Sequence, residues 1–396
     1  MAFNISNLLA TLDSSIAALD SASELLEVLQ AINATNSTKG YGKTQRKYYT
    51  SVASLPAADS AMRGMVAVVS TAVEDSDNGL YLCTGTAWTE IQSLDSTTPY
   101  RGFQGSNFGY ASGGRNPVLP TGPYLNTIDK FPFSADASAS DVGDLTEART
   151  SAAGQSSATH GYTSSGLNPE LPTGPRVNTI DKFPFSADAS ASDVGDLIEV
   201  KSGAAGQSSS ENGYTSGGIL PPILNTIEKF PFAADASVSD VGDLFEARFG
   251  CTGQSSSTHG YTSGGLTTVR VNTIDKFPFS ADASASDVGD LTQVRSGSAG
   301  QSSTTHGYTS GGTPPTTNII DKFPFAADAS ASDVGDLTES KQGAAGQSST
   351  THGYTSGGQL PAASNVIDKF PFSVDASASD VGDLTEARDF PAGQQY

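Results

Sequence analysis

The sequence predicts a mainly β protein: a six-bladed β-propeller over residues 101–396, preceded by a short N-terminal helix and a small β module. The first observation behind this is a phrase that recurs six times: Gly-Tyr-Thr-Ser-Gly-Gly or a close variant, a variable stretch, Ile-Asp-Lys-Phe-Pro-Phe, then Asp-Val-Gly-Asp-Leu. Its copies begin at Gly109, Gly161, Gly213, Gly260, Gly307 and Gly353. The second is the spacing of the acidic residues before Lys-Phe-Pro-Phe, Asp129, Asp181, Glu228, Asp275, Asp321 and Asp368, at 52, 47, 47, 46 and 47 residues, the period of four-stranded blades and not of helical repeats. The third is composition: 42 Gly and 20 Pro suit a turn-rich chain, while 18 Phe and 13 Tyr supply a core.

Residues 1–34 contain no proline or glycine and read as a helix capped by Asn4. Ile5, Leu9, Leu12, Ile16, Leu19, Ser23 and Leu26 alternate spacings of four and three, a heptad seam. Ile and Leu at both core positions do not favour dimers specifically, so the expectation is self-association through this seam. Residues 35–46 are a polar linker. Residues 47–98 form a small β module: Met65–Val69 is one strand, and Leu80–Thr84 and Trp88–Ile91 bracket a turn at Gly85.

Within the propeller the second unit shows the expected strands: Ser151–Ser157, Gly161–Gly166, Asn178–Phe185 and Val194–Glu199. Ile180 faces one way while Phe183 and Phe185 face the other, as a blade sandwiched between two neighbours requires. The C-terminal segment from Arg388 to Tyr396 aligns with a first strand and has no second strand after it. The first unit lacks a full first strand, so the C-terminus is expected to supply one and close the ring, leaving no free sheet edge.

These units resemble kelch-type propellers. The double glycine is present in five units, with Ser165-Gly166 as the exception, and Phe131, Phe183, Phe230, Phe277, Phe323 and Phe370 occupy the aromatic position of the third strand. The fourth-strand Trp of kelch repeats is missing; Val142, Val194, Val241, Val288, Val334 and Val381 sit near its place. The Asn78-Gly-Leu-Tyr81 and Gly85-Thr-Ala-Trp88 phrases, preceded by Ala53–Ala58, resemble small modules of tail-fibre proteins of tailed bacteriophages, and the repeat is similar to structural proteins of marine, especially cyanobacterial, phages. The resemblance implies a virion structural protein, a tail fibre or similar appendage. It would be a homotrimer that meets other virion proteins through its N-terminal region and recognises a host surface glycan or protein with the propeller. The alternative is a cellular or secreted kelch-like binding module, or a relative of the sugar-active oxidases.

A formal net charge of −21 argues against nucleic acid and against anionic membranes, because both need a basic face. No run of 18 apolar residues is present for membrane insertion, and the N-terminus lacks a signal-peptide pattern. Cys83 and Cys251 make no disulfide framework. His160, His259, His306 and His352 occupy one repeat position, where units one and three carry Phe108 and Asn212; this reads as a strand-turn role, since metal ligands must converge. The stretch Asp136–Asp144 and its copies have the oxygen-rich character calcium favours, but Asp and Ser also fill turns, and EF-hand spacing is absent. No cofactor and no metal site are therefore expected. Arg149, Lys201, Arg248, Arg295, Lys341 and Arg388 follow the Asp-Val-Gly-Asp phrases and read as ion-pair partners within or between blades.

Galactose oxidase, which shares the kelch-like fold, binds copper with Tyr, His and a Cys-linked Tyr; here Cys251 is the only propeller cysteine and the Tyr and His positions are copies of one another. Repetition of this kind suits a scaffold, and the nucleophile-elbow, P-loop and Cys-x-x-Cys patterns are absent, so the chain reads as non-enzymatic. The units differ most between the double glycine and the third strand. These loops share one face of a propeller, and varied loops on a rigid scaffold make a binding surface. The candidate contact residues are Arg115, Asn116, Tyr124, Leu125, Glu170, Arg176, Leu220 and Arg270.

Overall fold

The computed structural model describes residues 104–119, 123–170, 175–235 and 238–396, together with four strands between residues 48 and 93. The expected helix of residues 1–34, its seam and the linker lie outside the described residues. The chain divides into two units, Met1–Pro99 and Tyr100–Tyr396. In the first, strands Tyr48–Tyr49, Val66–Val69, Gly79–Cys83 and Trp88–Ser93 pair in that order, the first two parallel and the rest antiparallel.

The second unit is a six-bladed propeller of four-stranded antiparallel sheets. Blade 2 is Ala153–Ser156, His160–Leu167, Arg176–Pro184 and Ser192–Asp196, counted outward from the axis. The fourth strand begins and ends earlier than its sequence suggests. After Asp196 the chain must cross to blade 3: the Leu197 N–H bonds Asn178 O at 2.8 Å, and the Ile198 N–H is taken by Glu228 of that blade. The first strand is also shorter than expected, because Ser151 holds a left-handed φ of 55° that no strand continues. Blade 1 takes its inner strand, Ala392–Gln395, from the C-terminus, which pairs with Phe108–Ser112 and closes the ring as expected.

Each blade buries a Tyr, an Ile and a Leu against one neighbour and two Phe against the other. Tyr162, Ile180 and Leu197 of blade 2 thus pack with Phe230 and Phe232 of blade 3, while Phe183 and Phe185 pack with Tyr110, Ile128 and Leu145 of blade 1. Tyr162 stacks on Phe232 at 4.9 Å between ring centroids. The predicted split of the third strand into two apolar faces is this division of labour.

Charged groups pin the same interfaces. Arg149, Lys201, Arg248, Arg295, Lys341 and Arg388 are essentially inaccessible to solvent. Their partners are not the nearby Asp-Val-Gly-Asp carboxylates but the third-strand acids of the following blade: Asp181, Glu228, Asp275, Asp321, Asp368 and Asp129, at 2.7–3.1 Å. Burial pulls the Arg149, Arg295 and Arg388 guanidinium groups below their ordinary value, and the facing carboxylates oppose it.

Three closed rings surround the axis. In the innermost strands a Cβ added at Gly154, Gly206, Gly253, Gly300, Gly346 or Gly393 would lie 2.0–2.2 Å from the carbonyl oxygen of the preceding glycine in the ring. The six backbones touch there through Cα–H···O contacts, which only glycine permits. Next, the N–H of Ser156, Ser208, Ser255 and Ser302 bonds the Oγ of Ser208, Ser255, Ser302 and Ser348 at 2.9–3.1 Å, and Gln395 completes the circle. Lastly, backbone N–H···O=C bonds of 2.6–2.9 Å run head to tail through Ser151, Gly203, Gly250, Gly297, Gly343 and Phe390. At the axis these rings leave a polar pocket of about 60 Å³, room for water only.

Gly253→Ala should therefore drive a Cβ into the Gly206 carbonyl and lower unfolding free energy in urea by about 1–3 kcal/mol or more. Ser165→Gly should do the opposite. Ser165 takes φ 63° where five other units have glycine at 59–69°, and its buried hydroxyl has no partner. Removing both penalties should stabilise the propeller by about 1 kcal/mol, read as a higher urea midpoint at unchanged slope.

Candidate functional site

Each loop between second and third strands is zipped to the connection that enters its blade. Arg115 bridges Asp389, Leu167 bridges Thr150, Ile219 bridges Ser202, Leu266 bridges Phe249, Thr313 bridges Ser296 and Gln359 bridges Gln342. These two sets of segments therefore form one continuous face. The opposite face carries the turns between first and second strands, tied to the loops after the third by bonds such as Phe185 N–H to Thr159 O at 2.9 Å.

The predicted contact residues all fall on the first face, but in different roles. Arg115 is held by Asp389 through two bonds, Nε to Oδ1 at 3.1 Å and Nη2 to Oδ2 at 2.6 Å. The Arg176 and Arg270 guanidinium groups bond the hydroxyls of Ser202 and Ser296. Asn116 Oδ1 accepts the Val118 N–H and so shapes its own turn. Leu125 is buried, which corrects its reading as a contact residue: its side chain holds the loop down instead of facing a partner. Tyr124 and Leu220 are half-buried, and Glu170 is exposed.

Sequence comparison missed a set of apolar side chains. Val118 (72% exposed), Leu119 and Val269 (65%) project from the loops, and Ile198, Phe245 (60%) and Val294 from the connections between blades. Six of the seven large exposed hydrophobic residues among the described residues are thus on this face; Val374 is on the other. One signal could have found two of them. Ile198 and Phe245 stand where the other four connections have Thr146, Thr292, Thr338 and Thr385. Those hydroxyls donate to the third-strand Asp of the next blade at 2.5–2.7 Å. Phe245 cannot, and Asp275 Oδ1 is left buried without a partner. Burial raises the Asp275 carboxyl above its ordinary value, with Arg248 and the Phe245 N–H opposing. An aromatic ring held in water at the expense of a buried hydrogen bond is poor for stability and good for contact.

The histidines sit on the opposite face, each in a turn: the His160 N–H bonds Ser157 Oγ at 2.9 Å, and its Nδ1 lies 2.8 Å from Thr159 Oγ1. Burial, reinforced by Lys182, lowers its basicity, and the other three follow the same pattern with Lys276, Lys322 and Lys369. The Asp136 carboxylate, part of the oxygen-rich phrase, is paired with Lys369 of blade 6, and Asp141 accepts the Gly143 N–H. No group of three or more His, Cys, Asp or Glu side chains converges on a common point among the described residues.

No protein-family model and no curated protein matches the chain. Among solved structures the chain is similar to that of YjhT, at 13% identity and a TM-score of 0.52, over 63% of this chain and 88% of that one. The likeness is one of fold.

Phe245→Thr should restore the bond to Asp275 and stabilise the propeller by about 1 kcal/mol. The added donor favours the charged carboxylate and opposes the upward shift of Asp275, so the gain should be largest at neutral pH and begin to shrink as pH falls through the raised Asp275 range, above the ordinary carboxylate value. Urea titrations of both proteins at several pH values read this directly.

Proposed function

We propose that the chain is a non-enzymatic recognition protein whose propeller binds a partner through the face formed by the varied loops and the inter-blade connections. The observation that carries this reading is the gathering of Val118, Leu119, Ile198, Phe245, Val269 and Val294 on that face, with Phe245 kept there at a cost in hydrogen bonding. The rigid, closed rings beneath it supply preorganisation, so little ordering entropy opposes binding. The copied Tyr, His and Asp positions are occupied by stacking, turn and ion-pair duties, which supports a scaffold over an active site.

Together with the resemblance of the repeats to kelch-type propellers and of the N-terminal module to phage fibre proteins, this favours an appendage of a tailed-phage virion. In this reading the N-terminal seam of Ile5, Leu9, Leu12, Ile16, Leu19 and Leu26 assembles a homotrimer and attaches it to other virion proteins. The propeller then meets a glycan or protein on the host surface. Contact through apolar side chains should depend only weakly on salt.

The test uses labelled full-length protein and a panel of marine cyanobacterial strains. Attachment to a subset of strains is expected, and it should fall at least about tenfold in a Val118→Ser, Phe245→Thr, Val269→Ser triple variant that is at least as thermally stable as the wild type. Attachment that survives the triple variant, or no attachment to any strain, overturns the reading.

A further inference from the structure

The Thr-His step of the repeat is broken twice on the opposite face: unit one carries Asn107-Phe108, which still places a ring there, and unit three does not. Units two, four, five and six carry Thr-His before Gly-Tyr, as Thr159-His160, Thr258-His259, Thr305-His306 and Thr351-His352. Unit three carries Glu211-Asn212. In the four Thr-His turns the Thr hydroxyl holds the imidazole at 2.8–2.9 Å, and the ring sits 6.5 Å from the following Tyr. Blade 3 has no ring to fill that volume. An open groove of about 450 Å³ lies there, between the Ser209–Asn212 turn of blade 3, the Ser257–His259 turn of blade 4, and Phe279-Ser280 at the end of the blade 4 third strand. Its size is that of small-molecule sites.

The lining has a consistent chemistry. The hydroxyls of Ser210, Ser257, Thr258 and Ser280 are on exposed residues and can donate or accept. The Asn212 amide, which also bonds the Tyr214 hydroxyl, adds further hydrogen-bonding capacity, and the Glu211 carboxylate adds strong acceptors. Phe279, half-buried and stacked on Tyr214 at 4.9 Å, supplies an apolar wall. Burial and Lys276 hold His259 below its ordinary basicity, which favours its neutral form. The lining has one carboxylate, Glu211, and no Lys or Arg, in a chain of net charge −21. Alternating donors and acceptors beside an aromatic wall match a polyhydroxylated ring, and the sign of the charge disfavours phosphorylated, sulfated or carboxylated ones.

We propose that this groove between blades 3 and 4 is a binding site for a neutral saccharide unit, separate from the apolar face on the other side of the disc. The occupant meets the exposed hydroxyls, Asn212 and Glu211 with its own hydroxyls and lays its C–H face against Phe279. The departure from Thr-His is what creates the site.

Saturation-transfer NMR on the full-length protein tests this, with glucose, galactose, mannose and N-acetylglucosamine as neutral probes and sialic acid and glucose 6-phosphate as charged ones. At least one neutral sugar should bind, with affinity in the millimolar range. A Glu211→Thr, Asn212→His double variant restores the turn that four blades already use, so it should fold with unchanged thermal stability, fill the groove and weaken that binding at least about tenfold. The Val118→Ser, Phe245→Thr, Val269→Ser variant should bind the sugar as the wild type does, which separates this site from the apolar face. Failure of all four neutral sugars to bind, binding that survives the double variant, or charged sugars binding as well as the neutral ones would overturn the proposal.

Discussion

The carbonyl oxygen of each innermost glycine rests against the Cα of the next, and that contact sets the radius of the disc. With a side chain at any of Gly154, Gly206, Gly253, Gly300, Gly346 or Gly393 the inner strands could not come this close. At the resulting separation the Ser N–H groups reach the neighbouring Ser Oγ atoms. The Gln155, Gln207, Gln254, Gln301, Gln347 and Gln394 amides reach the backbone of the next second strand, at 2.9–3.0 Å. The Tyr and Phe rings farther out then meet at stacking distance. A single oversized residue at the axis would loosen all of these contacts together.

The buried cations act on the same interfaces in another way. Taking an Arg and an Asp out of water costs about as much as their attraction returns, so such pairs are weak sources of net stability. They do reject alternatives. A blade docked out of register would leave Arg388 or Asp129 buried and alone, a loss of about 3–5 kcal/mol. Because the same pair recurs at all six seams, it selects the register of docking and not which blade meets which. The seam between blades 6 and 1 carries one extra device, the two-bond pair of Arg115 and Asp389, found where the ring is closed by strands from distant parts of the chain.

Near-identity of the blades also makes their exceptions readable. Ser165 and Phe245 each forgo a feature that at least four other units share, and both leave a buried polar atom unpartnered. Phe390 takes a left-handed φ of 51° where four of its equivalents are glycine, and its ring packs over Gly343. Glu211 and Asn212 line a groove at a turn where four other units carry Thr-His. Strain and lost bonds at a few sites of an otherwise consistent scaffold are where function tends to reside.

The repeat length, the number of blades, the two-faced third strand and the closing C-terminal strand were all legible in the sequence, because each follows from periodicity or from counting strands. The loops that vary were legible too, since variation needs only comparison of the units. What the sequence did not reveal was which carboxylate answers Arg149 or Lys201. The Asp-Val-Gly-Asp residues are close along the chain but point to solvent, while Asp181 and Glu228 are brought in by the next blade. Nor did it reveal that Leu125 is buried and Val269 exposed, because two apolar residues in similar loops differ only in which way the folded loop turns them. Local pattern determined the blade; the neighbouring blade decided what each side chain touches, since every face of a propeller sheet is completed by residues far away in the chain.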